Sequence, residues 1–178
     1  MTTVEYLETP ETVEPRELAF GVLRVAESPT LYHQRVVRDV TVALHAFVRE
    51  HRLGEVVPAP MDVILDYDAA LVVQPDIVFV ASDRSHIMSD RLTAAPDLVV
   101  DVLSPHPRIG RLDERVSWFA KYGVRECWLI DLARRELAVL EFADGLVAQR
   151  LLLTRHQRIP STVLPGLALT PADFLGSW

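Results

Sequence analysis

Two aspartates stand in unusual places in this chain. "AAPDLVVDVLSPHPR" (94–108) sets Asp101 inside an apolar run that begins at Leu98. "VVQPDIVFVA" (72–81) opens another apolar run at Pro75–Asp76. Such short runs, rich in β-branched residues, read as buried strands. If the two are neighbours in a sheet, Asp76 at the start of one and Asp101 towards the end of the next converge at one sheet end. Two ionised carboxylates close together in a partly buried place repel each other. A hard divalent cation relieves that repulsion. Mg²⁺ takes one or two carboxylates and completes its octahedron with waters and substrate phosphate. There it stabilises the transition state of phosphodiester hydrolysis and lowers the pKa of an attacking water. The spacing leaves a plainer reading open, because X-Pro-Asp also starts turns and strands, and Asp97 is a second Pro-Asp.

Other chemistries lack their signatures. There is no Gly-x-Ser-x-Gly elbow for a serine hydrolase, and no Gly-x-Gly-x-x-Gly or Walker loop for a nucleotide. His45, His51, His86, His106 and His156 are scattered without metal-ligand spacing. The single cysteine, Cys127, excludes an intrachain disulfide and a cysteine-based zinc site, and within "ECWLI" it reads as a packed small hydrophobe. Trp118 and Trp128 read as core aromatics. The net charge of −7 argues against nonspecific, charge-driven DNA binding but not against an acidic site neutralised by metal.

These acids need a frame, and the sequence supplies one. Residues 1–15, polar and acidic with two prolines, read as a loose arm, and 16–178 as one domain. "RELAFGVLRVAESP" predicts a strand pair around Gly21. Tyr32–His51 predicts the main helix, with Val37, Val40, Leu44 and Phe47/Val48 on one face, His33 on that inward face, and Gly54 placed to end it. "EVVPAPMDVILDYD" and "ALVVQPDIVFVA" read as two strands joined through "DYDA", followed by a loop or short helix and the strand "DLVVDVLS". "RIGRLDERVSWFAKYG" predicts a second amphipathic helix closed by Gly123. Arg111, Arg115, Trp118/Phe119 and Tyr122 share one face of it, and Lys121 lies off that face. Strands "RECWLIDL", "RELAVLEFADG" and "LVAQRLLL" follow, the last two paired across Asp144–Gly145. The order predicts an α/β (α+β) sheet with a helix on either side. The acidic N-terminus is unlike a secretory signal, no run reaches the roughly 20 apolar residues of a membrane span, and a cytoplasmic protein is expected.

"LRVAESPTLYHQRVVRDVTVALHAFVREHRLGEVVPAPMDVIL", "VVQPDIVFV", "APDLVVDVLSPHPR" and "FAKYGVRECWLID" occur in this order from about Glu17 to Leu167. Together they resemble the Uma-type restriction endonuclease family of the PD-(D/E)XK nuclease superfamily. The resemblance implies a restriction-endonuclease-like fold, a central mixed β-sheet flanked by helices, with a Mg²⁺ (or Mn²⁺) site and DNA as substrate. Asp76 matches the family's Pro-Asp acid. Asp101 matches its second acid, usually Glu and here one methylene shorter. Asp76 and Asp101, with the Val102 carbonyl, are the implied metal ligands. Glu17 matches an N-terminal acid before a glycine, and His33 the histidine that opens the first helix.

The superfamily's lysine position in Asp/Glu-x-Lys is Leu103. In the Uma-type pattern the lysine lies on the following helix, four residues before an aromatic-Ala pair. Counting back from Phe119–Ala120 gives Arg115. Arginine stays protonated and cannot act as a general base, though it can still neutralise a phosphate. Lys121 is the only lysine among 18 basic residues, so the change also fits a general drift towards arginine. Two functions follow from this pattern: a Mg²⁺-dependent endonuclease, or a catalytically degenerate module that keeps the fold to bind nucleic acid or protein. A homodimer, with two sites for two strands, is expected from substrate symmetry.

Overall fold

In a computed structural model the chain is described over residues 1–10, 12, 14–25, 28–103 and 111–176. Ser104 and His106 lie outside those residues. Two sheets carry the fold. The smaller is antiparallel and four-stranded, in the order β2 (Val22–Val25), β1 (Arg16–Ala19), β5 (Leu71–Val73), β4 (Val63–Asp66). The larger is mixed and six-stranded, in the order β10 (Leu146–Leu153), β9 (Glu136–Ala143), β8 (Glu126–Asp131), β7 (Leu98–Leu103), β6 (Ile77–Ala81), β3 (Gly54–Pro58). Among the described residues its only parallel pair is β7–β8. A parallel pair needs a crossover, and α3 (Leu112–Tyr122) supplies it.

The central strands are buried on both faces, which explains their continuous apolar sequences. One face packs against α2 (Leu31–His51) and the C-terminal segment with α4 (Ala172–Leu175): Val36, Val40 and Leu44 meet Val100, Trp128 and Phe174 in one cluster. The other face packs Val78, Val99 and Leu129 with Phe119 of α3 and with Leu71 and Val73 of the smaller sheet. Helix α2 starts where Thr30 accepts a bond from His33 N at 3.2 Å, an N-cap contributing about 1 kcal/mol. Gly123, at φ 100°, closes α3 as its sequence position implies.

Three expectations change. The arm is not loose throughout: α1 (Thr3–Leu7) carries a capping box from Thr2 and Glu5, and its Tyr6 is buried on the smaller sheet. Each of the two strands read around "DYDA" is two, divided between the sheets: β3 and β4 separate at a cis Ala59–Pro60 bond, and β5 and β6 at Gln74–Pro75. Proline cannot donate to a ladder, so the chain changes sheets where the prolines fall. Arg52, in the left-handed region, ends α2, whereas Gly54 begins β3, where a Cβ would sit 2.0 Å from the Val80 carbonyl oxygen. That glycine serves a close backbone approach rather than a helix end.

Candidate active site

The β6–β7 register builds the site. The ladder pairs Ile77 with Val100, so Asp76 and Asp101 are the next residues outward on their two strands. Asp76 N approaches Asp101 Oδ1 at 3.4 Å, and Val102 N donates to Asp76 Oδ2 at 2.7 Å. Side chains alternate along β7. Val100 and Val102 join the α2 side, whereas Val99, Asp101 and Leu103 face α3. The crossover starts α3 at the carboxyl end of β7, which brings Arg115, in the helix's first turns, over Asp101.

Arg115 is the hub. Its Nε donates to Asp101 Oδ2 at 2.6 Å and Nη2 reaches Asp101 Oδ1 at 3.5 Å, while Nη1 donates to Glu17 Oε1. The Arg115, Glu17 and Asp101 side chains are 12%, 1% and 9% exposed, so this is a nearly buried triad. Burial alone would lower the Arg115 pKa. The Asp101 and Glu17 carboxylates outweigh it, and the net displacement is upward. The guanidinium also lies 5.3 Å over the Phe119 ring. Gln74 N fixes Glu17 Oε1 at 2.7 Å, and Glu17 Oε2 is buried without a hydrogen-bond partner. His33 Nε2 stands 3.2 Å from Asp76 Oδ2, and its buried Nδ1 has no partner, so the Nε2–H tautomer fits best.

The structure thus brings together Glu17, His33, Asp76, Asp101, Val102 and Arg115, which lie up to 98 residues apart in sequence. Of Val102, the backbone N–H is the group that touches the acids. Arg111 is not with them. It stands at the N-cap position of α3 without a side-chain capping bond, paired with Asp113 at 2.8 and 3.1 Å with its side chain 76% exposed. A helix face extended backwards past the N-cap no longer follows helical geometry. Asp97, the other Pro-Asp, is at the opposite end of β7, fully buried between Arg84 and Arg125 with Ala81 N on its second oxygen. Its role is to tie the strand ends together.

Gln74 escaped sequence reasoning. Besides holding Glu17, it donates from Nε2 to Asp62 Oδ1 at 2.8 Å, and Asp62 also receives Tyr6 Oη at 3.0 Å and Arg91 Nε at 3.3 Å. Its place directly before Pro75–Asp76 was the available signal. Glu126 escaped too: fully buried, it accepts from Trp128 Nε1, Thr162 N and Thr162 Oγ1.

A divalent cation fits this donor set in kind. Two carboxylates, Asp101 and Glu17, face one guanidinium, with Asp76 next to Asp101, which leaves surplus negative charge, and the unpartnered Glu17 Oε2 is a hard oxygen donor already stripped of solvent. Among the described residues no three His, Cys, Asp or Glu side chains form a ready-made ion-binding group, so the protein would offer at most two of these acids at once.

No described helix is long and apolar enough to cross a membrane. No curated protein matches the chain. Among solved structures, the crystal structure of a "putative nuclease belonging to DUF820" from Anabaena variabilis ATCC 29413 matches at a TM-score of 0.85 and 18% identity, over 98% of this chain and 97% of that one. At that identity the likeness concerns the fold, and it agrees with the restriction-endonuclease-like architecture implied by the sequence. The family described as "Uma2: Putative restriction endonuclease" matches residues 3–172, which takes in both sheets and every residue of the cluster. The ordered motifs, the sheet that carries them and this match agree, and the chain belongs to the Uma2 restriction endonuclease family.

Proposed function

We propose that the protein is a divalent-metal-dependent endonuclease that hydrolyses DNA phosphodiester bonds, with its nuclease domain at 16–178. The observation that carries this reading is the meeting of Asp76 and Asp101 at one sheet end, under Arg115 and beside Glu17, in a chain of a restriction endonuclease family. Asp76 and Asp101 would hold Mg²⁺ or Mn²⁺, with the Val102 carbonyl as a further donor. Bound there, the cation supplies Lewis-acid stabilisation of the phosphoryl oxygens and a lowered pKa for water.

The chain's own groups do the rest. His33 and Val102 N hold Asp76 in place by its Oδ2, leaving Oδ1 for other partners. Gln74 N holds Glu17. Arg115 neutralises negative charge at the phosphate side but carries no proton it can give up, so it is not the base. A homodimer would set two such sites against two strands.

Plasmid nicking with Mg²⁺ or Mn²⁺ tests the reading on wild type, Asp76→Ala and Arg115→Lys. Cleavage by wild type, lost in Asp76→Ala, is expected. One specific observation favours the alternative of a degenerate binding module: Arg115 already occupies both Asp101 and Glu17. Cleavage by wild type and Arg115→Lys no greater than the Asp76→Ala background would select that alternative.

A further inference from the structure

The Arg115 fork engages both oxygens of Asp101 and one of Glu17, the same lone pairs that a cation on Asp101 would need. A guanidinium and a divalent cation cannot share one nearly buried carboxylate without strong mutual repulsion. Independently, the buried Glu17 Oε2 has no hydrogen-bond partner, so the triad is incompletely satisfied with arginine alone. Arg115 also has a second hold on the protein, because its guanidinium rests over Phe119. It can leave the acids without losing its place.

Resting on the metal-site reading above, we propose that Arg115 is a resident counter-ion that competes with the divalent cation for the Asp101–Glu17 carboxylates. Cation entry displaces the guanidinium from Asp101 and frees its donors for an anion such as a phosphodiester. The device depends on arginine. A lysine ammonium is a single point charge, whereas the guanidinium fork spans two carboxylates at once and holds them more tightly against the cation. Arginine and cation binding are then linked, so whatever Arg115 takes from metal affinity the metal takes from the ion pair.

The test is Mn²⁺ titration calorimetry on the full chain, comparing wild type with Arg115→Gln, Arg115→Lys and Asp101→Asn. Arg115→Gln should bind Mn²⁺ at least tenfold more tightly than wild type, with Arg115→Lys between them and Asp101→Asn weakest. A second readout needs no variant to stay folded in its apo form. In wild type the Arg115 Nε–H nuclear magnetic resonance should move as Mg²⁺ saturates the protein, since its Asp101 acceptor is withdrawn. Equal or weaker Mn²⁺ affinity in Arg115→Gln, or an unmoved Nε–H at saturation, would overturn the competition while leaving the metal site standing. Failure of wild type and every folded variant to bind Mn²⁺ at millimolar concentration would overturn the metal site itself, and the competition with it.

Discussion

Replacing Arg115 by Met keeps an apolar stem near Phe119 and removes the charge together with the hydrogen bonds to Asp101 and Glu17. The acids it leaves behind are the measure of the effect. Glu17 and Asp101 are 1% and 9% exposed, so neither can recover much water when its partner goes. Breaking a buried pair from one side costs about 3–5 kcal/mol, because an uncompensated charge remains. Two acids lose the same partner here, which puts the expectation at the upper part of that range. For a chain of this size each kcal/mol moves Tm by about 2–4 °C, so a loss of about 4–5 kcal/mol should lower the midpoint by roughly 8–20 °C. Urea unfolding followed by far-UV circular dichroism gives the free energy directly. The reasoning also fixes the cure: Glu17→Gln and Asp101→Asn added to Arg115→Met should recover most of the loss, since the penalty belongs to the stranded charges. A loss below about 1 kcal/mol in Arg115→Met, or no recovery in the triple variant, would refute the account of a buried, mutually dependent triad.

Two further outcomes follow from buried groups elsewhere. Glu126→Ala strands the Trp128 indole N–H and the Thr162 N–H and hydroxyl, which bond to it at 2.7, 2.7 and 2.9 Å. Of these only the Trp128 indole N–H is left buried, since Thr162 is exposed and recovers water; the loss should be about 1–3 kcal/mol, read as a lower urea midpoint with a shift in tryptophan emission, and Glu126→Gln should lose less. Cys127 is fully buried, and burial first, then the nearby Asp101 charge, pushes its thiol well above the ordinary range. With almost no thiolate near pH 8, the native protein should resist a disulfide reagent and react in full only after denaturation, as an absorbance assay would record.

How far the sequence led depended on the kind of signal. The helices α2 and α3, the β9–β10 hairpin and the inward face of His33 were legible because apolar periodicity and turn residues act locally. The division of the chain between two sheets was not, because "VVQPDIVFVA" is equally apolar on both sides of Pro75 and only tertiary pairing assigns β5 and β6 to different sheets. Asp76 and Asp101 could be paired from their places at strand ends. Glu17 could not be reached from pattern alone, since it sits in a short strand of the other sheet and meets Arg115 across 98 residues. Its position came through resemblance. The misplacement of Arg111 has a simpler cause: the sequence repeat continues past Leu112, but the helix does not.

The contrast between residues 101 and 115 bears on what this site can become. Asp101 is fixed by parity. Val99, Asp101 and Leu103 face α3 while Val100 and Val102 face α2, so a slip of one residue in β7 would bury the carboxylate in the α2 core. The parallel β7–β8 ladder of six residue pairs and the antiparallel β6–β7 ladder together forbid such a slip. Arg115 has no comparable constraint. It stands on a crossover helix held by Trp118, Phe119 and Ala120, and its side chain contributes charge to the site and a cation–π contact over Phe119 rather than a register-setting pairing. Exchange of lysine for arginine at 115 can therefore alter proton chemistry and metal competition while the carboxylate frame stays as the sheet sets it. The frame also limits that exchange. With Glu17, Asp76 and Asp101 converging, a neutral residue at 115 leaves three acids with at most a histidine beside them, so either a cation or a basic side chain has to be present. Arginine satisfies that electrostatic need permanently, which is a physical reason that it can stand at a position where the family resemblance implies a lysine.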